Sequence, residues 1–148
     1  MNYLRQWLVL CWNIRGLNAK SKQLALMNAI NVSGYAIICL QETKKSHFDM
    51  AFIKSCCPKR FDEFVYVPSD GASGGFIIIR NTSIFTGLVM HYQPFALSVH
   101  FTSKQANYSW TLLDIYGPCS GELRDDFVSW LYELNILDEE DWLIVGGF

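Results

Sequence analysis

The stretch Tyr35-Ala-Ile-Ile-Cys-Leu40, followed directly by Gln41-Glu42-Thr43-Lys44, is the most informative part of this sequence. The apolar part is short, bulky and uncharged, which is typical of a strand that is covered on both faces. Ligand crevices in α/β sheets lie at the carboxyl ends of such strands. Glu42 therefore stands where a metal ligand or a catalytic acid would be placed.

An earlier segment repeats this pattern. The apolar run Trp7–Trp12 ends in Asn13-Ile-Arg-Gly16. Between the two runs, the spacing of apolar residues predicts a helix of about 15 residues from Ala19, which Ser33-Gly34 would end. Strand, helix and strand of this size form a βαβ unit with parallel strands. Asn13 and Glu42 would then belong to one site at the carboxyl ends of neighbouring strands.

The pattern changes after a second predicted helix at His47–Cys57, which Pro58 ends. Short β-rich segments follow at close spacing, which predicts antiparallel strands, at Phe61–Val67, Gly75–Arg80, Ile84–Met90, Phe95–Phe101 and Tyr108–Tyr116. A third helix is then predicted from a stripe of apolar residues, namely Leu123, Phe127, Trp130, Leu131, Leu134 and Leu137. The final run, Trp142–Val145, predicts one more buried strand.

Composition limits the possible functions. The chain has 148 residues, the size of one domain, with 51% hydrophobic and 18% charged residues, a net charge of −2 and a pI near 5.9. This charge gives no global basic field for nucleic acid, although a bound divalent cation would supply local positive charge. The five cysteines are odd in number and lack C-x-x-C spacing, which argues against zinc and favours a reducing compartment. We expect an intracellular protein, nuclear or cytoplasmic, that is not secreted and does not bind a membrane.

Five motifs in order resemble the endonuclease/exonuclease/phosphatase superfamily, and most of all the apurinic/apyrimidinic-type endonuclease domains of non-LTR (LINE-type) retrotransposons. The matching segments are Trp12–Leu17, Leu40–Lys44, Ser73–Ile79, Ile115–Pro118 and Trp142–Phe148. The resemblance implies an α/β (α+β) chain with the four-layer α-β-β-α sandwich of DNase I-like proteins. It also implies Mg²⁺-dependent hydrolysis of phosphodiesters, with DNA or another nucleic acid as partner.

The resemblance also implies roles for individual residues. Glu42 would be the principal metal ligand, and Asn13 would orient the metal shell or the phosphate. Tyr116 would hydrogen-bond the scissile phosphate. Gln41 and Lys44 would contact the outer metal shell or the phosphate backbone. A hard cation such as Mg²⁺ takes oxygen ligands and keeps several waters, so one or two carboxylates suffice.

The chain departs from the family pattern at its last residues. Gly147 replaces the family's Asp, which positions or deprotonates the attacking water, and the Asn expected after Phe148 is absent. The family's later Ser-Asp-His segment has no counterpart, and none of the three histidines falls at a predicted strand end. We therefore expect residues 1–148 to be a truncated domain, inactive alone, in which Mg²⁺ binding is weakened or lost. We expect mainly one mixed sheet with flanking helices, whose exposed face would promote self-association.

Simpler interpretations of the same residues stay open. Glu42 alone could be a solvated loop residue, Asn13 could stabilise a turn, and Tyr116 could be a strand residue at a sheet end. Gly74-Gly75 predicts a β-bulge or a tight turn rather than a phosphate loop, because no Lys-Ser/Thr follows. Two other functions compete with the nuclease-derived domain. One is a non-catalytic module that binds nucleic acid or protein, and the other is a doubly wound small-molecule binder, which the run of short strands disfavours.

Overall fold

The computed structural model describes residues 7–71, 73–117, 121–134 and 140–147, and the chain divides into two compact units, Met1–Ile84 and Phe85–Phe148. The first unit contains β1 (Leu8–Asn13), α1 (Lys20–Asn31), β2 (Tyr35–Gln41), α2 (Met50–Cys56), β3 (Glu63–Val67) and β4 (Phe76–Arg80). The second unit contains β5 (Phe85–Gln93), β6 (Ala96–Ser103), β7 (Ser109–Tyr116), α3 (Gly121–Glu133) and β8 (Trp142–Gly147).

The first unit is built on a four-stranded sheet in the order β1-β2-β4-β3. Strands β1 and β2 are parallel, with Cys11 opposite Cys39, and α1 connects them, so the predicted βαβ unit is confirmed. Strand β4 runs antiparallel to both of its neighbours. Every residue of β2 after Tyr35 is buried, as the uncharged run predicts for a central strand.

The two helices of the first unit bury short apolar stripes in one core. Leu26 and Ile30 of α1 and Ile53 of α2 join Ile38, Leu40 and residues of β4 there. Helix α1 has 12 residues and ends at Asn31, slightly before the predicted stop. The prediction that α2 begins at His47 was wrong, because the side chain of Asp49 accepts a hydrogen bond from Phe52 N (2.8 Å) and starts the helix at Met50.

The second unit is built on another four-stranded sheet, in the order β5-β6-β7-β8. Strands β5, β6 and β7 form the predicted antiparallel run, and β8 pairs parallel to β7 after the connection through α3. Helix α3 packs by Phe127, with Leu123, Trp130 and Leu134, against Phe95 and neighbouring strand residues. Leu131 does not belong to this stripe, since 38% of it is exposed, and Leu137 lies outside the described residues.

The α/β class and the mixed sheets are confirmed, but the expectation of mainly one sheet was wrong. The described residues form two sheets of four strands, because β5, β6 and β7 pair with one another and with β8, whereas β4 pairs with β2 and β3. Of the helices in the described ranges, none combines the length and the apolar character needed to cross a membrane.

Candidate active site

Three loops of the first unit meet at one edge of its sheet. The carboxyl ends of the parallel strands β1 and β2 lie there, with Asn13 opposite Gln41. Strand β4 begins at the same edge, where Phe76 pairs with both Gln41 and Val67, the last residue of β3. The segments 14–19, 42–49 and 68–75, which follow or precede these strand ends, are therefore neighbours.

Backbone hydrogen bonds continue the pairing of β1 and β2 into the loops beyond them. Ile14 N donates to Gln41 O (3.1 Å), Gly16 N to Glu42 O (2.7 Å) and Leu17 N to Thr43 O (2.9 Å). The backbone on either side of the predicted metal ligand is therefore held to the loop that begins at Asn13.

The third loop is attached to the second in the same way. Thr43 N donates to Gly75 O (3.2 Å), and Lys44 N donates to Gly74 O (2.9 Å). Gly75 has φ +95°, and a Cβ there would overlap Oγ1 of Thr43, a side chain with no exposed surface. The backbone of Gly74-Gly75 thus lies tightly against that of Thr43-Lys44, in line with the predicted turn.

Left-handed backbone is concentrated at this edge. In the described ranges, the residues other than glycine with positive φ are Arg15 (φ 53°), Glu42 (φ 52°) and Lys44 (φ 55°). Such residues cost free energy and persist where surrounding contacts fix them, and they cluster at functional sites. The hydrogen bonds between the loops supply that fixation here.

The polar side chains at this edge suit a hard cation. Asn13 is exposed, Glu42 is half-buried and Gln41 is buried, so two amides and one carboxylate stand at adjacent strand ends. Mg²⁺ binds oxygen donors and retains several waters, which fits this set. Glu42 is the one acidic residue in 14–19 and 42–48, and the part of the chain that the structure describes contains no cluster of three His, Cys, Asp or Glu side chains.

The other two predicted site positions belong to the second unit. Tyr116 and Gly147 are paired at the carboxyl ends of the parallel strands β7 and β8. Tyr116 is half-buried, and its backbone N donates to Phe95 O (2.9 Å). The structure therefore groups Asn13 with Gln41, Glu42 and Lys44 in one unit, and Tyr116 with Gly147 in the other.

The histidines have local structural partners. His91 Nδ1 lies 2.7 Å from Ser98 Oγ, and His100 Nδ1 lies 2.8 Å from Thr111 Oγ1, each across neighbouring strands of the second sheet. His47 precedes α2 and is 3.5 Å from the hydroxyl of Tyr66.

Sequence reasoning did not single out Arg15 or Thr43 as parts of the loop assembly. The only signal for Arg15 was its position two residues after Asn13. Thr43 carried none, because its burial arises from the approach of Gly75, which is distant in sequence.

No protein-family model and no curated protein sequence matches the chain. Solved structures do match it. The human Nocturnin catalytic domain superposes with a TM-score of 0.67 at 12% identity, covering 93% of this chain and 62% of that one. An AP endonuclease from Leishmania major gives a TM-score of 0.66 at 16% identity, covering 93% and 54%. The endonuclease domain of TRAS1, a telomere-specific non-LTR retrotransposon, gives 0.59 at 13% identity, covering 93% and 58%.

This chain spans less than two thirds of each of these three structures. At such low identity, the likeness concerns the path of the backbone. The chain has the endonuclease/exonuclease/phosphatase, or DNase I-like, fold.

Proposed function

We propose that this chain belongs to a single domain derived from a retrotransposon-type, metal-dependent nuclease, and that it binds nucleic acid. The observation that carries the proposal is the placement of Asn13 and Glu42 at the carboxyl ends of adjacent parallel strands, on loops joined by backbone hydrogen bonds. The likeness of fold to an AP endonuclease and to the TRAS1 endonuclease domain supports the same chemistry.

In this proposal Glu42 is the principal ligand of Mg²⁺, and Asn13 holds the metal shell or the phosphate by its amide. The bound cation would neutralise charge on the phosphoryl oxygens of a phosphodiester. Gln41 and Lys44 contact the outer metal shell or the phosphate backbone. Tyr116 donates a hydrogen bond to the scissile phosphate, a role carried over from the family motif.

We propose further that these 148 residues do not cleave nucleic acid alone. Gly147 has no side chain at the position where the family has the acid that activates water. Losing a general base costs about 10²–10⁴-fold in rate. Because Glu42 is the one acidic residue in 14–19 and 42–48, Mg²⁺ binding is weak as well. Gly147 is also the observation that favours the second candidate function, a non-catalytic module that binds nucleic acid.

The test begins with metal binding and then turns to cleavage. Calorimetric titration with Mn²⁺, a surrogate for Mg²⁺, should show one weak site in the wild-type chain and none in Glu42→Gln. Asp49→Asn is the matched control, since Asp49 caps α2, and it should bind as the wild type does. Equal Mn²⁺ binding by wild type and Glu42→Gln would refute the metal site.

Cleavage is assayed on supercoiled and abasic DNA with Mg²⁺. We expect no nicking by the wild-type chain above the level of Glu42→Ala, together with a salt-dependent gel shift. Nicking that disappears in Glu42→Ala would overturn the proposed inactivity and leave the metal site standing.

We also propose self-association through the exposed sheet face of the second unit. Strand β5 exposes apolar side chains, including Leu88 (64% exposed) and Met90 (52% exposed). Sedimentation velocity should show dimers or larger species for the wild type and a shift toward monomer for Leu88→Lys. A wild-type monomer over the whole accessible concentration range would contradict this proposal.

A further inference from the structure

The small net charge of the chain conceals a strong separation of charge between its two units. Unit Met1–Ile84 contains ten Lys and Arg residues and five Asp and Glu residues. Unit Phe85–Phe148 contains two Lys and Arg residues and nine Asp and Glu residues. A polyanion is therefore attracted to the unit that contains Asn13 and Glu42, and the other unit repels it.

Two cations of the first unit, Arg15 and Lys44, lie on the two hydrogen-bonded loops at the site, within two residues of Glu42 or of its backbone partner Gly16. Arg15 lies between Ile14 and Gly16, whose backbone N atoms donate to Gln41 O and Glu42 O. Lys44 N donates to Gly74 O, and Lys44 O accepts a hydrogen bond from Asn18 Nδ2 (2.9 Å). Both residues are exposed, and both have the left-handed backbone that they share with Glu42.

Two of the nearby lysines have partners within the protein. Lys22 Nζ donates to Ile14 O (2.8 Å), and Lys45 Nζ lies 4.2 Å from the centre of the Phe52 ring. Their ammonium groups therefore support the loops, whereas Arg15 and Lys44 extend exposed side chains from backbone that is fixed by hydrogen bonds. Fixed backbone reduces the entropy that is lost when a side chain binds a ligand.

We propose that Arg15 and Lys44 form a phosphate-binding pair on the two loops at this edge of the sheet, and that they contact the backbone of the nucleic acid bound there. The inference rests on the proposed function and adds Arg15, which the family motif did not assign, as a substrate-binding residue. A guanidinium can bind a phosphate through two parallel hydrogen bonds, while an ammonium acts as a point charge.

A general attraction of nucleic acid to the whole basic unit is the competing explanation. A substitution at Arg60 distinguishes it from specific contacts with Arg15 and Lys44. Arg60 is exposed, and its Nε donates to Tyr35 O (3.4 Å) at the start of β2. Glu42 follows the end of the same seven-residue strand. At about 3.3 Å per residue, the two ends of β2 are about 20 Å apart, so Arg60 marks the opposite edge of the sheet.

The experiment measures how the affinity for a fluorescein-labelled 30-base-pair DNA depends on KCl between 50 and 200 mM, by fluorescence anisotropy in EDTA. Each phosphate contact contributes about 0.9 to the slope of log K against log[salt]. We expect Arg15→Gln and Lys44→Gln each to lower the slope by about 1, and the double variant by about 2. Arg15→Lys should keep the wild-type slope, because it keeps the charge. Arg60→Gln should keep it too.

An equal loss of slope in Arg60→Gln and Arg15→Gln would overturn the phosphate-binding pair in favour of general attraction. An unchanged slope in Arg15→Gln, or no binding by the wild type at 50 mM KCl, would also overturn it. Circular dichroism confirms that each variant is folded. The proposed metal site is tested independently, because unchanged Mn²⁺ binding in Glu42→Gln would refute it. That result would not affect the salt slopes, which are measured in EDTA.

Discussion

Replacing Gly75 by Ala should destabilise the first unit by more than any other single methyl group added at a glycine of the three site loops. Gly75 has φ +95°, and its added Cβ would overlap Oγ1 of Thr43 and lie 3.3 Å from Ser69 N. Thr43 has no exposed surface, and its stiff β-branched side chain cannot turn away at low cost. The methyl group therefore meets both an unfavourable backbone angle and a fixed neighbour.

The two effects can be estimated separately. An L-residue held in a sparsely populated backbone region costs about 1–3 kcal/mol. Forcing a side chain such as Thr43 off its rotamer costs a further 0.5–1.5 kcal/mol or so. We therefore expect Gly75→Ala to lose about 1.5–4.5 kcal/mol of unfolding free energy, a large part of the 5–15 kcal/mol that is typical of domains.

Urea denaturation followed by circular dichroism measures this loss as a change in midpoint at constant m value. Gly74→Ala is the matched control, since Gly74 has φ +75° but no atom within 4 Å of its Cβ position, so it carries backbone strain alone. Gly34→Ala, with open space and no positive φ, should change stability by less than about 0.5 kcal/mol. In the Gly75→Ala background, Thr43→Ala should recover the steric part of the loss.

Two different outcomes would contradict this expected loss of stability. Equal losses for Gly75→Ala and Gly74→Ala, with no coupling to Thr43, would show that the loops do not approach as closely as described. A change of less than about 0.5 kcal/mol in both variants would show that the left-handed backbone itself is wrong.

Three further predictions concern stability and thiol chemistry. The hydroxyl and amide of Thr82 hold the pKa of Asp62 below its usual value, so Asp62 adds stability above its unfolded-state pKa, and this is lost as pH falls through the folded-state pKa. The difference in unfolding free energy between the wild type and Asp62→Asn should thus be constant near neutral pH and should shrink below about pH 4. A difference that stays constant in acid would contradict this prediction. Ile38→Ala should lose about 2–5 kcal/mol in urea denaturation, because Ile38 is fully buried, whereas a loss under 1 kcal/mol or so would deny its place in the core. The contact with Cys56 and burial raise the pKa of the Cys57 thiol. Iodoacetamide at pH 8 should therefore alkylate the exposed Cys11 long before Cys57, which peptide mass mapping would measure. Equal rates of alkylation would argue against the described burial of Cys57.

The sequence predicted those features of the fold that depend on local pattern. The uncharged run of β2 indicated a central strand, and two such runs with a helix between them indicated the parallel pair of β1 and β2. The closely spaced β segments indicated the antiparallel run of β5 to β7. Each of these signals consists of neighbouring residues, so no knowledge of distant contacts was needed.

The features that the sequence did not predict depend on residues far apart in the chain. The separate second sheet arises because the strands β5 to β8 pair with one another, and apolar periodicity does not say which strand pairs with which. The left-handed backbone of Arg15, Glu42 and Lys44 depends on hydrogen bonds between loops, which have no side-chain signature. The exposure of Leu131 likewise depends on which part of α3 faces its sheet.

The candidate site is built on two strands that differ in local stability. Asn13 ends β1, an outer strand that pairs with β2 alone within its sheet, whereas Glu42 follows β2, which has a neighbour on each side. Outer strands open more readily than central ones during local fluctuations. Mild heat or denaturant should therefore displace the Asn13 side chain, as β1 opens, while the Glu42 carboxylate keeps its position. In such a protein the capacity to bind metal or phosphate would fade at a lower temperature than the fold itself, and a conventional melting curve would overstate the range in which the site is intact.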